Sequence, residues 1–347
     1  MRNQERILYY DMLNICACIA VIAIHHNGIA HTFSNSWTWK TALIAEVIFY
    51  WCVPVFLMLT GATLMPYRNK YNTKEFFRRR FVRTLIPFVA WSLILLFVKE
   101  LLGKSILETF SVQEIISAVL NYKIEGVYWF FPLLFSIYFL MPVLSLLSLD
   151  EYRNTLKYTI VIMLILQSTL PFLSALLGIQ WNSDFSLSWN SCLVYVLLGY
   201  YLSTEEKLPL GKLVLIGILG CIIRYVCIYK LSMRDGTINK LFFTYGCLPA
   251  VMLSVSVFSV FKAVDWKKIF QKIHLREEVI ADIASCSLGV YLIHKSVMWV
   301  ELKVLGGGSL DNTSIIWRTI FIIITYLISL ILVKLIKYIP VVKKIVP

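Results

Sequence analysis

Residues 9–30 read YYDMLNICACIAVIAIHHNGIA, and this stretch decides the fold class. About twenty mostly apolar residues suffice to carry a helix across roughly 30 Å of hydrocarbon. The polar residues inside the stretch follow a pattern. Asp11 and Asn14 are three apart, Asn14 and His25 eleven, and Asp11 and His25 fourteen. At 3.6 residues per turn these intervals are close to whole turns, so the three share one helical face, which Cys18 joins. Polar groups in a membrane segment are costly and usually point into a protein interior or a water-filled cavity. The stripe therefore marks a candidate site, with His25 about 24 Å along the helix from Tyr9. The plainer alternative is a histidine satisfied by a neighbouring helix carbonyl.

Similar runs recur along all 347 residues, of which 59% are hydrophobic and 15% charged, with mean hydropathy +0.75. Soluble domains are less apolar and carry more charge. The pattern predicts an all-α, polytopic membrane protein, one domain over 1–347, with about ten spans. They fall near 9–30, 41–65, 84–103, 128–148, 156–178, 186–203, 211–230, 241–262, 279–300 and 314–337. Roughly 22 of the 33 Lys and Arg lie on one side of this topology, which puts that side and both termini in the cytoplasm. The net charge of +13 is thereby assigned to loops beside spans, with no nucleic-acid partner. The first span is too long and too polar for a signal peptide. The eight cysteines lie in or beside apolar runs without CxxC spacing and read as packing residues, with no metal site expected. The 104–127 loop is expected to hold a short interfacial helix, with Ser111 as N-cap and Glu114 at N3. The 263–278 segment mixes bases with aromatics and is expected on the inner membrane surface.

Two further constellations complement the first stripe. Ser287, Tyr291 and His294 recur at i, i+4 and i+7 on one face of the 279–300 span. His294 is expected at the depth of His25, and Glu46 at a comparable level, where its carboxylate could orient the His25 imidazole for general-base work. His26 is turned about 100° from His25 and is expected to line the outer vestibule. The loop from Phe77 to Arg83 carries Arg78, Arg79, Arg80 and Arg83. It satisfies the positive-inside rule, and it could equally clamp phosphate, since arginine forks match phosphate oxygens.

These residues, in this order, resemble the membrane acyltransferase 3 family of bacterial inner-membrane O-acyltransferases. The resemblance rests on Asn14 and His25, ten residues between them, and on Val53–Gly61 in the second span. It continues with Arg80 to Arg83 before Pro87 and Trp91, then Trp129-Phe130, Tyr138, Pro142 and Gly199-Tyr200, and ends with Ser287–His294. The family has arginine where this chain has Asn14, and usually proline where it has Lys295. The resemblance implies transfer of an acyl group, acetyl foremost, from cytoplasmic acyl-CoA as co-substrate to an extracytoplasmic glycan or lipid-linked sugar. No bound cofactor is implied, and a homo-oligomer is compatible with it. His25, Glu46 and His294 would be catalytic. Asp11, Asn14, Arg78, Arg79, Arg80, Arg83, Trp129, Ser287 and Tyr291 would contact donor or acceptor. The runner-up is a proton-coupled transporter or glycan flippase, which could also use intramembrane His and Glu. Transporters often carry paired, Gly/Pro-broken helices in two halves, and no such pairing is visible in this sequence.

Overall fold

The computed structural model describes residues 6–185, 192–305, 311–340 and 342–346, and among them every regular element is helical. The chain enters as α1 (Leu8–His26), tightens into a 3-10 turn at Gly28–His31, and continues into α2 (Trp37–Phe49). Ser36 caps α2, its Oγ accepting from Trp39 N. α3 (Cys52–Leu64) starts after a turn at Tyr50 and Trp51, where Pro54 has no N–H for the carbonyl four residues back. α4 (Thr73–Arg80), capped by Asn72, runs through a π-helical turn at Phe81–Leu85 into α5 (Ile86–Leu101). Pro87 gives the Arg83 carbonyl no donor, and the wider turn upstream absorbs the mismatch.

α6 (Val112–Leu120) is the expected loop helix, and Ser111 Oγ accepts from Glu114 N at 3.2 Å. The Glu114 carboxylate turns away from the cap and accepts from Glu108 N and Thr109 N. Those N–H groups hold its carboxyl below the usual range. α7 (Phe130–Leu144) follows. Then come α8 (Arg153–Met163) and α9 (Leu170–Leu177), joined by a second π-helical turn ahead of Pro171. The rest comprises α10 (Leu193–Thr204), α11 (Leu210–Asp235), α12 (Leu248–Ala263), α13 (Trp266–Lys272), α14 (Glu277–Ser285), α15 (Ser287–Leu305) and α16 (Ile315–Lys337).

Among the described residues, seven helical segments are long and apolar enough to cross a membrane. The number rises to nine if α12 with α13, bent by 59°, and α14 with α15, bent by 57°, each make one span. The expectation of about ten differs at 186–203, because residues 186–191 lie outside the described set and α10 is only 12 residues long. α10 is apolar on every side, with Val194, Tyr195, Val196, Leu197, Leu198, Tyr200 and Leu202 all buried, so it belongs to the protein core. The 279–300 span is two helices broken at Cys286, and the 241–262 span begins only at Leu248.

α1 is the hub. It packs against α2, α3, α12, α13, α14, α15 and α16, burying Leu13, Ala17, Ala20, Val21, Ile22 and Ala23. Small residues let neighbours close on it, as is usual where lipid supplies no hydrophobic drive between helices. The closest approach is α3 on α10. A Cβ added at Gly61 would overlap the Val196 carbonyl, and one at Gly199 the Met58 carbonyl. Backbone cannot yield as a side-chain tip can. Gly199→Ala should therefore destabilise by about 1–3 kcal/mol, read as a lower unfolding midpoint in detergent. Gly211→Ala, where nothing lies within 4 Å of the added Cβ, should leave the midpoint in place.

Candidate active site

The polar face of α1 is matched, residue by residue, by α14, α15 and α16. Asp11 is held by Arg6, with Nε to Oδ2 at 2.5 Å and Nη2 to Oδ1 at 2.9 Å, and Arg6 Nη2 also donates to Ala281 O at 3.1 Å. Asn14 Nδ2 donates to Ala284 O at 3.2 Å, and Cys18 Sγ to Ser287 O at 3.5 Å. Above them the His25 and His294 rings face each other with centroids 5.2 Å apart and planes 31° from parallel. His26 Nε2 is 2.9 Å from Thr325 Oγ1, and Asn27 Oδ1 accepts from Arg318 Nε at 3.0 Å. The break at Cys286 leaves carbonyls without intrahelical donors. Asn14 Nδ2 and Lys337 Nζ donate to two of them, Ala284 O and Ser285 O, while Cys18 donates across the break to Ser287 O in the first turn of α15.

The His294 tautomer follows from its partner. Nδ1 lies 2.6 Å from Tyr291 O, and a carbonyl only accepts, so Nδ1 carries the hydrogen. Nε2 of the neutral ring then holds a lone pair, is buried, and has no hydrogen-bond partner among the described residues. Such an atom can take a proton or attack a carbonyl, but it cannot donate to an oxyanion.

Two cavities lie along these helices. The larger, about 1160 Å³, is lined by Asp11, Asn14, Ser287 and Tyr291 and by the cations Arg6, Lys70, Arg80, Arg83 and Lys344. The smaller, about 620 Å³, is lined by His25, His26, Lys99, Lys104, Glu125, Lys295 and the tryptophans Trp91, Trp299 and Trp317. Along α1 the order is Asp11, Asn14, His25. Along α15 it is Ser287, Tyr291, His294, Lys295. Both helices thus run from the large basic cavity to the small one; His25 lines the small one, and His294, between Tyr291 and Lys295, is fully buried and lines neither.

The arginine loop is split. Arg78 donates to Glu75 at 2.6 and 2.8 Å and Arg79 to Glu75 at 2.7 Å, so both are committed to one carboxylate on α4. Arg80 and Arg83 reach the basic cavity, with Arg80 lying over the Tyr138 ring at 5.8 Å and its Nε unpartnered among the described residues. Glu46 does not meet His25. Its Oε1 is 3.7 Å from His31 Nε2, and it is buried beside Arg224, whose guanidinium sits 3.3 Å above the Tyr50 ring. The Glu46 side chain faces the 3-10 turn at His31 and Arg224 of α11, so equal depth does not become contact. Trp129 lines neither cavity; it stacks on Tyr245 at 5.7 Å, which in turn stacks on Tyr50 at 4.4 Å. Tyr291 OH donates to Val127 O and Ser287 Oγ is buried without a partner among the described residues, and both residues line the basic cavity.

Sequence reading missed a second buried chain. Thr325 Oγ1 donates to Glu301 Oε2 at 2.6 Å, so it accepts from His26 Nε2 and links imidazole to carboxylate. A signal existed, since Glu301 continues the seven-residue spacing of Ser287 and His294. Arg318, which also donates to Thr41 Oγ1 at 2.7 Å, was visible only as a charge near the start of an apolar run.

Residues 7–334 match the family model described as an acyltransferase domain. No curated protein and no solved structure matches. The matched segment takes in α1 with its histidines, the arginine loop and the broken α14–α15 pair, and on a match of nearly its whole length the chain belongs to the acyltransferase 3 family.

Proposed function

We propose that the protein is a multi-pass enzyme of the bacterial cytoplasmic membrane that moves an acyl group, acetyl foremost, from cytoplasmic acyl-CoA to a hydroxyl of an extracytoplasmic or lipid-linked glycan. The observation that carries this reading is the facing His25–His294 pair, with His25 on the wall of one cavity and α1 and α15 leading up to it from a second, basic one. Coenzyme A cannot cross a bilayer, so its donor site belongs on the side of the basic loops. Its phosphates fit the cavity of Arg80, Arg83, Lys70 and Lys344, and its pantetheine arm points past Tyr291 toward the imidazoles.

The acceptor occupies the smaller cavity, against His25. His25 withdraws the hydroxyl proton as the oxygen attacks the thioester carbonyl. A C–O bond forms, the C–S bond breaks, and the departing thiolate takes a proton to leave as the free thiol. His294, with its lone pair at Nε2, takes the proton on from His25 and returns it toward the donor side. Ser287, its buried hydroxyl unpartnered among the described residues, is the donor available to the carbonyl oxygen on that side.

His25→Ala should cut transfer by about 10²–10⁴-fold while binding of labelled acetyl-CoA persists. A folded variant with near-normal transfer removes His25 as base. Arg83→Ala should weaken acetyl-CoA binding by about ten- to a hundredfold, whereas Arg78→Ala, whose guanidinium is held by Glu75, should change it little. Equal losses at both positions would make the loop a topology anchor. A transporter or flippase predicts neither hydrolysis nor protein acylation when the purified protein meets labelled acetyl-CoA.

A further inference from the structure

The acceptor cavity has its own charge pattern, set by three lysines and a single glutamate. Lys99 Nζ donates to Glu125 Oε2 at 3.1 Å and to Ile124 O, so this pair is locally neutral. Lys104 Nζ lies 5.0 Å above the Trp299 ring. Lys295 makes no hydrogen bond or ion pair with any described residue, although it is only partly exposed and follows His294 directly. The one carboxylate near enough to act on Lys295, Glu125, is already paired with Lys99, so three ammonium groups share a single counter-charge, and a bound anion would relieve the cost of the excess at membrane depth. Trp91 and Trp299, both partly exposed, add flat apolar faces of the kind that pack against the C–H face of a sugar ring, while Trp317 is buried against His26.

We propose that this cavity selects a saccharide bearing a negative charge, carboxylate or phosphate, within about one sugar unit of the hydroxyl to be acylated, with Lys295 as the cation that pairs with it. The position of that hydroxyl rests on the acyl-transfer reading; the preference for an anion does not. Lys295 lies one residue beyond His294, so the charge it binds is held close to the reacting centre. A neutral sugar would stack on the same tryptophans and leave Lys295 uncompensated.

The test is binding without donor, on the full chain in phosphatidylcholine nanodiscs. Tetragalacturonate and glucose 6-phosphate serve as anionic probes, maltotetraose and glucose as neutral ones. The anionic probes should bind at least about tenfold more tightly than their neutral counterparts, and less so as salt rises. Lys295→Gln should erase most of that ratio, and Lys295→Arg should keep it. Equal binding of anionic and neutral probes, no binding of either anionic probe, or a ratio untouched by Lys295→Gln would overturn the proposal. Replacing part of the lipid by phosphatidylglycerol separates the two sources of anion. If this abolishes the sugar preference, Lys295 is a headgroup site and the proposal falls. Because no donor is present, a protein that shows the preference yet transfers nothing refutes the acyl-transfer reading alone.

Discussion

A polar atom inside a membrane protein must find its partner within the protein, and α1 is built around that constraint. Its side chains from Asp11 to Asn27 pair upward with Arg6, α14, α15 and α16 in turn. The same contacts stabilise an otherwise costly feature, the 57° break between α14 and α15. No proline or glycine causes that break. Asn14 and Lys337 supply donors to two carbonyls of the last turn of α14 that a continuous helix would have matched itself. Beyond the bend α15 carries His294 opposite His25.

That arrangement also divides space. Below the imidazoles the walls carry Arg80, Arg83, Lys70 and Lys344, and above them lysines and tryptophans. Glu75 sharpens the division by taking Arg78 and Arg79 out of contention. Four arginines near a membrane surface would otherwise offer an anion several equivalent places to bind. Binding the first two to α4 leaves Arg80 and Arg83, which line the basic cavity. Proline at 87 leaves the Arg83 carbonyl without an intrahelical donor, and Arg83 sits within the π-helical turn that precedes it.

Periodicity read the stripe on α1 and the Ser287, Tyr291, His294 face correctly, because a helical face follows from spacing alone. The 104–127 helix was legible for the same reason, its cap residue standing where a helix start needs one. The α14–α15 break was not legible. The donors beside it are tertiary, side chains of α1 and α16, and the local sequence at Ser285-Cys286-Ser287 carries no breaker. Glu46 was misread for a related reason. Depth along a helix can be counted, but the neighbour a side chain will face cannot, and α2 presents the Glu46 carboxylate to His31 while the Glu46 main-chain carbonyl accepts from Arg224 Nη1. The His26–Thr325–Glu301 chain joins three helical positions whose partnership exists only once α15 and α16 pack together.

Asn14 shows how the packing bears on chemistry. The resemblance to the family leads one to expect a guanidinium there, yet the amide lies under the break and donates to Ala284 O. A neutral donor satisfies that carbonyl without adding charge beside Arg6, whose own charge is already balanced by Asp11. The cavity remains strongly basic through residues on other elements, Arg80 and Arg83 ahead of α5, Lys70 after α3 and Lys344 near the chain end. Charge for an anionic donor therefore does not depend on position 14. In this chain Asn14 is a neutral donor to the last turn of α14, next to the break that precedes the helix carrying His294.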